Sequence, residues 1–211
     1  MCNLYRMTKA RAEVARWFEA VDEAGGANFG DEVYPGYPGL VVADGALRPM
    51  TWGFPLVMTG AKGQPLKPKP VNNARTDKLD SFFWRDSFFK RRCLIPLTAW
   101  AEAEGERGAK TRTWLTRPDV ELFAAAGVWR MSPEWGAVYS MVMTESCGAA
   151  AECHERMPIL LAEADWNTWT NSDPEAAQDL CVPWTGELSL ERTTQGWNKP
   201  TPIPPEQASL F

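Results

Sequence analysis

Apolar residues recur along the chain in short blocks, and the spacing inside each block separates helices from strands. Val14, Trp17, Phe18 and Val21 share one face at helical spacing, which predicts a helix over 8–21 capped by Thr8. Gly25-Gly26 and the run Tyr34-Pro35-Gly36-Tyr37-Pro38-Gly39 break that pattern and read as loop. Leu40-Val41-Val42 and the stretch 47–54 read as strands around a turn at Asp44-Gly45. Residues 58–70, rich in Gly, Pro and Lys, predict an exposed loop. A helix is expected over 81–92, with bulk from Phe82, Phe83, Trp84, Phe88 and Phe89 and basic residues where the helix dipole favours them. Strands are expected at 93–104, 111–116, 121–130 and 137–147, a helical turn at 149–153, and a short strand at 157–161. Helices at 163–170 and 174–180 complete the pattern.

Strands dominate, and long crossover helices between them are scarce. That combination favours an α+β fold, mostly antiparallel, with a curled, barrel-like sheet and peripheral helices. No internal repeat divides the 211 residues, which predicts one domain over 1–199 and a flexible proline-rich tail over 200–211. A chain of this length buries about 70% of its unfolded surface. No apolar run approaches the length of a membrane span, and no basic-then-apolar leader opens the sequence. The expectation is a cytoplasmic, nucleoid-associated monomer with its five cysteines reduced. Those cysteines form no C-x-x-C pair, and the chain has one histidine, so neither a metal site nor a cofactor is expected.

Charge changes the picture. The net charge of −5 argues against a nucleic-acid binder, but residues 61–92 alone carry +6 and the remainder −11. A basic stretch in an acidic protein is either a phosphate-contacting face or a solvated helix and loop.

The candidate chemistry begins at Met1-Cys2-Asn3. Removal of the initiator methionine leaves Cys2 with a free α-amine beside its thiol. This 1,2-aminothiol condenses with an aldehyde to a Schiff base that the thiol closes into a thiazolidine ring. An α-amine pKa of about 7.7–8 keeps an appreciable fraction neutral and nucleophilic at physiological pH. Three further segments carry reactive groups: Asn72-Asn73-Ala74-Arg75-Thr76, Trp100-Ala101-Glu102-Ala103-Glu104, and His154-Glu155-Arg156-Met157-Pro158. Each has an ordinary alternative. Cys2 could sit at a frayed end, Glu102 on the wet face of a strand, and His154 could be a structural hydrogen-bonder. Cys153 beside His154 is discounted as a dyad, because neighbours in extended chain point to opposite faces.

In this order and spacing, Cys2, the run from Asn73-Ala74-Arg75 to Cys93-Leu94-Ile95-Pro96, Glu102 and His-x-Arg-Met-Pro resemble the SOS response-associated peptidase family, an abasic-site shielding family. The resemblance runs from Met1-Cys2 to about Leu161. It implies a DNA-repair enzyme with lyase-type and self-processing peptidase activity. It also implies covalent capture of abasic sites in single-stranded DNA through a thiazolidine crosslink. By that resemblance Cys2 is the nucleophile, Asn73 orients it, Glu102 is the acid–base group and His154 assists sugar ring opening and reversal. Arg75 and Arg156 match phosphate-contacting arginines, and Lys67, Lys69 and Trp52 join them as DNA-binding residues. The chain departs from the family at Asn3-Leu4, where Gly-Arg is usual. It departs again after Trp52-Gly53-Phe54-Pro55, where an aromatic wedge is usual and Leu56-Val57-Met58 stands. Two other classes remain open: an N-terminal-nucleophile amidohydrolase, and a non-catalytic single-strand binder using tryptophans and arginines.

The chain ends Gln207-Ala208-Ser209-Leu210-Phe211. A glutamine anchor and a Leu-Phe pair on a proline-rich stalk resemble the peptide by which bacterial proteins dock on the DNA polymerase sliding clamp. Gln207, Leu210 and Phe211 are the expected contacts. Deleting residues 207–211 should abolish clamp binding in a pull-down; undiminished binding refutes the motif.

Overall fold

The computed structural model describes residues 2–26 and 29–197. Five of its strands close on one another. Pro38–Ala43 and Ala46–Trp52 form a hairpin across Asp44-Gly45, whose φ values of 52° and 73° are those a two-residue primed turn requires. Pro38–Ala43 also meets Arg92–Leu97, which pairs with Phe123–Ser132, which pairs in turn with Gly136–Glu145. All these pairings are antiparallel. Gly136–Glu145 then returns to Ala46–Trp52 in parallel, with Val138 opposite Thr51 and Tyr139 opposite Trp52. That one parallel link closes the barrel. The α+β, mostly antiparallel expectation therefore holds.

A second sheet runs Ser189–Gly196, Thr111–Thr116, Ala99–Glu104, Tyr5–Arg6, Glu32–Val33, antiparallel throughout. The single strand expected over 93–104 is two strands. Thr98 separates them, and Arg92–Leu97 serves the barrel while Ala99–Glu104 serves the second sheet. A small hairpin, Phe54–Leu56 with Lys69–Val71, occupies part of the expected 58–70 loop region.

An aromatic cluster fills the core where barrel and N-terminal strand meet. Trp52 lies edge-on to Tyr5 (centroids 5.0 Å) and stacked near Tyr139 (6.4 Å, 12°). The Tyr5 and Tyr139 hydroxyls hydrogen-bond each other, and all three residues are fully buried. Gly39 is what permits this: a Cβ there would stand 2.2 Å from the Tyr139 hydroxyl and 2.3 Å from that of Tyr5. On the outside, Trp169 seats the helix Trp166–Asn171 by donating its indole N–H to Cys93 O (3.0 Å) and Gly127 O (3.2 Å). Buried Arg92 donates to carbonyls of Phe88, Trp169 and Ser172, so one guanidinium caps the ends of two helices, Arg85–Lys90 and Trp166–Asn171.

Several elements are shorter than their patterns predict. The helix expected over 8–21 spans Arg11–Trp17. Thr8 does not cap it but bonds the Thr98 hydroxyl, and the buried residues are Val14, Ala15 and Phe18, with Trp17 and Val21 exposed. Glu19 turns the chain at φ 50°, and Val21 joins a strand, Val21–Asp22, beside Ala46–Leu47. The helix expected over 81–92 is Arg85–Lys90, and Phe82 is fully exposed ahead of it. Among the described residues no helix is long and apolar enough to cross a membrane. The tail over 200–211, including Gln207, Leu210 and Phe211, lies outside the described residues.

Gly39→Ala should destabilise the protein by about 1–3 kcal/mol, the usual cost of forcing atoms into a filled core. Urea denaturation reads this directly, and an unchanged midpoint overturns the close approach.

Candidate active site

The start of the chain is threaded into the fold. Tyr5–Arg6 lies between Ala99–Glu104 and Glu32–Val33, and Leu4 O accepts the Ala101 N–H at 2.9 Å. Cys2, Leu4 and Tyr5 are fully buried, so the frayed-end alternative for Cys2 fails. The Cys2 carbonyl accepts two side-chain amides, Nδ2 of Asn73 at 2.8 Å and Nδ2 of Asn72 at 2.9 Å. The second hydrogen of Asn72 Nδ2 goes to Asn3 Oδ1 at 3.0 Å. Asn73 opens the strand Asn73–Arg75, which runs parallel to Gly136–Glu145, with Asn73 opposite Met141 and Arg75 opposite Met143. Oδ1 of Asn73 is buried and has no hydrogen-bond partner among the described residues, leaving an acceptor beside the Cys2 carbonyl.

The Cys2 thiol points to Leu4 O at 3.5 Å. Burial pushes its pKa well above the ordinary thiol range, and the charge of nearby Glu102 adds to the rise. Glu102 itself sits opposite Thr113 in Ala99–Glu104 and is buried, not on a wet face. Burial pushes its carboxyl up to about 7, against an opposing pull from positive charge that includes Lys110. A carboxyl poised near neutrality is suited to move protons in either direction.

Glu104, two residues on, accepts the Thr113 hydroxyl and pairs with Arg192 Nε at 3.3 Å. The Cys153 thiol also bonds Glu104, and burial with that carboxylate pushes it up to about 12. Cys153 ends the helix Ala150–Cys153, and its thiol also feels the Glu102 charge, so the chain that continues into His154 reaches the same end of the sheet. His154 adopts extended backbone, and its Nδ1 accepts the Arg156 N–H at 3.0 Å. In the neutral ring the proton therefore sits on Nε2. Burial lowers the His154 pKa, which favours that neutral form.

Charge is kept to the rim. Arg75 and Arg156 flank the end of Gly136–Glu145, Arg75 opposite Met143 and Arg156 opposite Glu145. Both are half-buried. Arg75 grips Asp77 with two hydrogen bonds of 2.8 and 2.7 Å, which holds the Asp77 carboxyl below its usual range, with Lys78 and Arg156 contributing. Lys67 and Lys69 are exposed on the hairpin that leads into Asn72. Trp52 is a correction. It is fully buried and donates its indole N–H to Asn72 O at 3.0 Å, so it supports the site from beneath and has no face for DNA. Cys2, Asn73 and Glu102 come together, His154 lies alongside, and the arginines border the group. Asn72 was not singled out from the sequence; its identity with Asn73 was the available signal. Among the described residues no group of three His, Cys, Asp or Glu could hold a metal ion.

A family model described as SOS response associated peptidase matches residues 1–200. The abasic site processing protein YoqW of Bacillus subtilis (strain 168) is 27% identical over 161 residues, 70% of either chain. The abasic site processing protein YoaM of the same organism is 26% identical over 160 residues, 70% of this chain and 69% of that protein. A solved structure from Bordetella bronchiseptica superposes with a TM-score of 0.77 at 20% identity, covering 91% of this chain and 99% of its own. One from Bacteroides thetaiotaomicron gives 0.74 at 17% identity, covering 90% and 91%. At those identities the two structures show the fold alone.

A carboxyl with a pKa of about 7 folded and 4.5 as its reference binds its proton more tightly in the folded state. Its contribution to stability is therefore present below pH 4.5 and lost as pH rises through 7, a change of about 3 kcal/mol. Glu102→Gln should lack this loss. Urea denaturation of both proteins at pH 4.5 and pH 8 tests it, and parallel pH dependences overturn the burial argument.

Proposed function

The chain belongs to the SOS response associated peptidase family, and from that premise we propose that it processes abasic sites by covalent capture on Cys2. The carrying observation is a fully buried Cys2 whose carbonyl is held by two amides, next to a carboxyl raised towards neutrality. The names of the two Bacillus relatives support the substrate class.

In this reading Met1 is first lost by hydrolysis of its peptide bond, by the protein itself or by a methionine aminopeptidase. The freed α-amine of Cys2 then adds to the ring-opened aldehyde of an abasic site in single-stranded DNA. Water leaves and a Schiff base forms. The thiol adds to the carbon of the C=N bond, a C–S bond forms, and the thiol proton ends on the nitrogen of the closed thiazolidine ring. The Cys2 thiol has a raised pKa, so thiolate is scarce and the proton must leave as sulfur adds. Glu102 takes and returns that proton. Asn73 orients Cys2, and His154 supplies and accepts protons during opening of the sugar. Arg75 and Arg156 hold backbone phosphates through their planar forks, and Lys67 and Lys69 extend the contact.

A denaturing gel tests the reading with Met1-free protein and single-stranded DNA carrying one abasic site. A shifted band should appear with wild type, vanish with Cys2→Ala or undamaged DNA, and form at least tenfold more slowly with Glu102→Gln, within the usual range for an acid–base group. No covalent band from protein with a confirmed N-terminal cysteine retires covalent capture and favours the amidohydrolase class.

A further inference from the structure

One of the two amides that hold the Cys2 carbonyl, that of Asn72, has no step of its own in the proposed chemistry. Asn72 is buried, and both hydrogens of its Nδ2 are committed, one to the Cys2 carbonyl at 2.9 Å and one to Asn3 Oδ1 at 3.0 Å. Its own backbone is pinned as well: Asn72 O accepts the Met141 N–H at 3.0 Å and the Trp52 indole at 3.0 Å. Successive residues of a regular strand point to opposite faces. Asn72 precedes the strand Asn73–Arg75, so the chain is not yet regular there, and both amides reach one carbonyl.

We infer that Asn72 is a positioning residue for Cys2, acting with Asn3 as its partner; this rests on the proposed capture chemistry. A single donor on the Cys2 carbonyl leaves the residue free to pivot about that hydrogen bond. A second donor from a different backbone position removes the pivot. It fixes the plane of the Cys2 carbonyl and thereby the directions in which the α-amine and Sγ leave the same Cα. Asn3 Oδ1 occupies the other hydrogen of Asn72 and keeps the amide from rotating away. The effect belongs to the ring-closing geometry and not to DNA affinity, because Asn72 is buried behind Cys2 while the basic residues lie at the rim. Misplacement of a reacting group by about 1 Å can cost two orders of magnitude in rate, so loss of one of two holds should be plainly visible.

The test measures single-turnover crosslinking to abasic single-stranded DNA at increasing DNA concentration. It uses Met1-free wild type, Asn72→Ala, Asn3→Gly and the double variant. Asn72→Ala should lower the maximal rate about tenfold while the DNA concentration at half-maximal rate stays within about twofold of wild type. Asn3→Gly should show a smaller loss, and the double variant should be no slower than Asn72→Ala, since Asn3 acts through Asn72. A maximal rate within twofold of wild type for Asn72→Ala, or a loss confined to the DNA concentration term, overturns the inference. Should Asn72→Ala melt below the assay temperature, Asn3→Gly decides, and an unchanged rate overturns it. Absence of any crosslink from wild type instead retires the capture reading itself, so the two failures are distinguishable.

Discussion

The hold on the Cys2 carbonyl is the constraint on which the site depends. Chain ends ordinarily fray, and ordering each backbone residue costs about 1–2 kcal/mol. Here the ordering is met by the fold itself. Leu4 and Tyr5 are buried, Tyr5–Arg6 takes its place in a sheet, and two amides meet the carbonyl of Cys2. The hold reaches back into the barrel. Asn72 O receives Trp52 and Met141, Trp52 packs between Tyr5 and Tyr139, and Gly39 makes room for their hydroxyls. Barrel closure and placement of Cys2 thus use the same residues.

Burial acts on the three titratable groups in one sense. It raises the Cys2 thiol, raises the Glu102 carboxyl to about 7 and lowers the His154 imidazole. Each shift favours the neutral form, because a dry site disfavours isolated charge. The centre is therefore an assembly of weak acids and bases, of which Glu102 lies nearest to physiological pH. Formal charge is displaced to Arg75, Asp77 and Arg156 at the border, where solvent tolerates it. In the proposed function this division places proton transfer inside and phosphate recognition outside. Asp77 already occupies the Arg75 fork, so a DNA phosphate must share or displace a carboxylate there.

Local chemistry was legible in the sequence where one residue type can do only one thing. Asp44-Gly45 announced its turn, and the strand expected over 111–116 forms as Thr111–Thr116. Cys2, Asn73 and Glu102 are joined in the sequence only by the resemblance, since the residues alone left ordinary alternatives open for Cys2 and Glu102. What escaped depends on partners distant in the chain. Trp52 could equally have been a stacking surface, and only the barrel's closure against Tyr139 buries it. Ser189–Gly196 is an edge strand with little apolar alternation, so its pattern carries no strand signal. Val21 lies at helical spacing from Val14, but the backbone reverses at Glu19 and spends it elsewhere.

The hairpin Phe54–Leu56 with Lys69–Val71 leaves the fold between Trp52 and Asn72, two residues that touch each other at the floor of the site. Its base is therefore fixed relative to Cys2, while its far end carries exposed Leu56, Val57 and Leu66 together with exposed Lys67 and Lys69. Apolar side chains at such a position can press against nucleobases, and lysines can follow the backbone, without any contact to the reacting atoms. By the resemblance an aromatic wedge is expected here, and Leu56 and Val57 stand in its place. The amide hold on Cys2 is made by Asn72 and Asn73, after the hairpin's last strand, so in the proposed function the tip can differ without altering that hold. In the proposed function the capture chemistry and the contact with DNA therefore sit on adjoining parts of the fold.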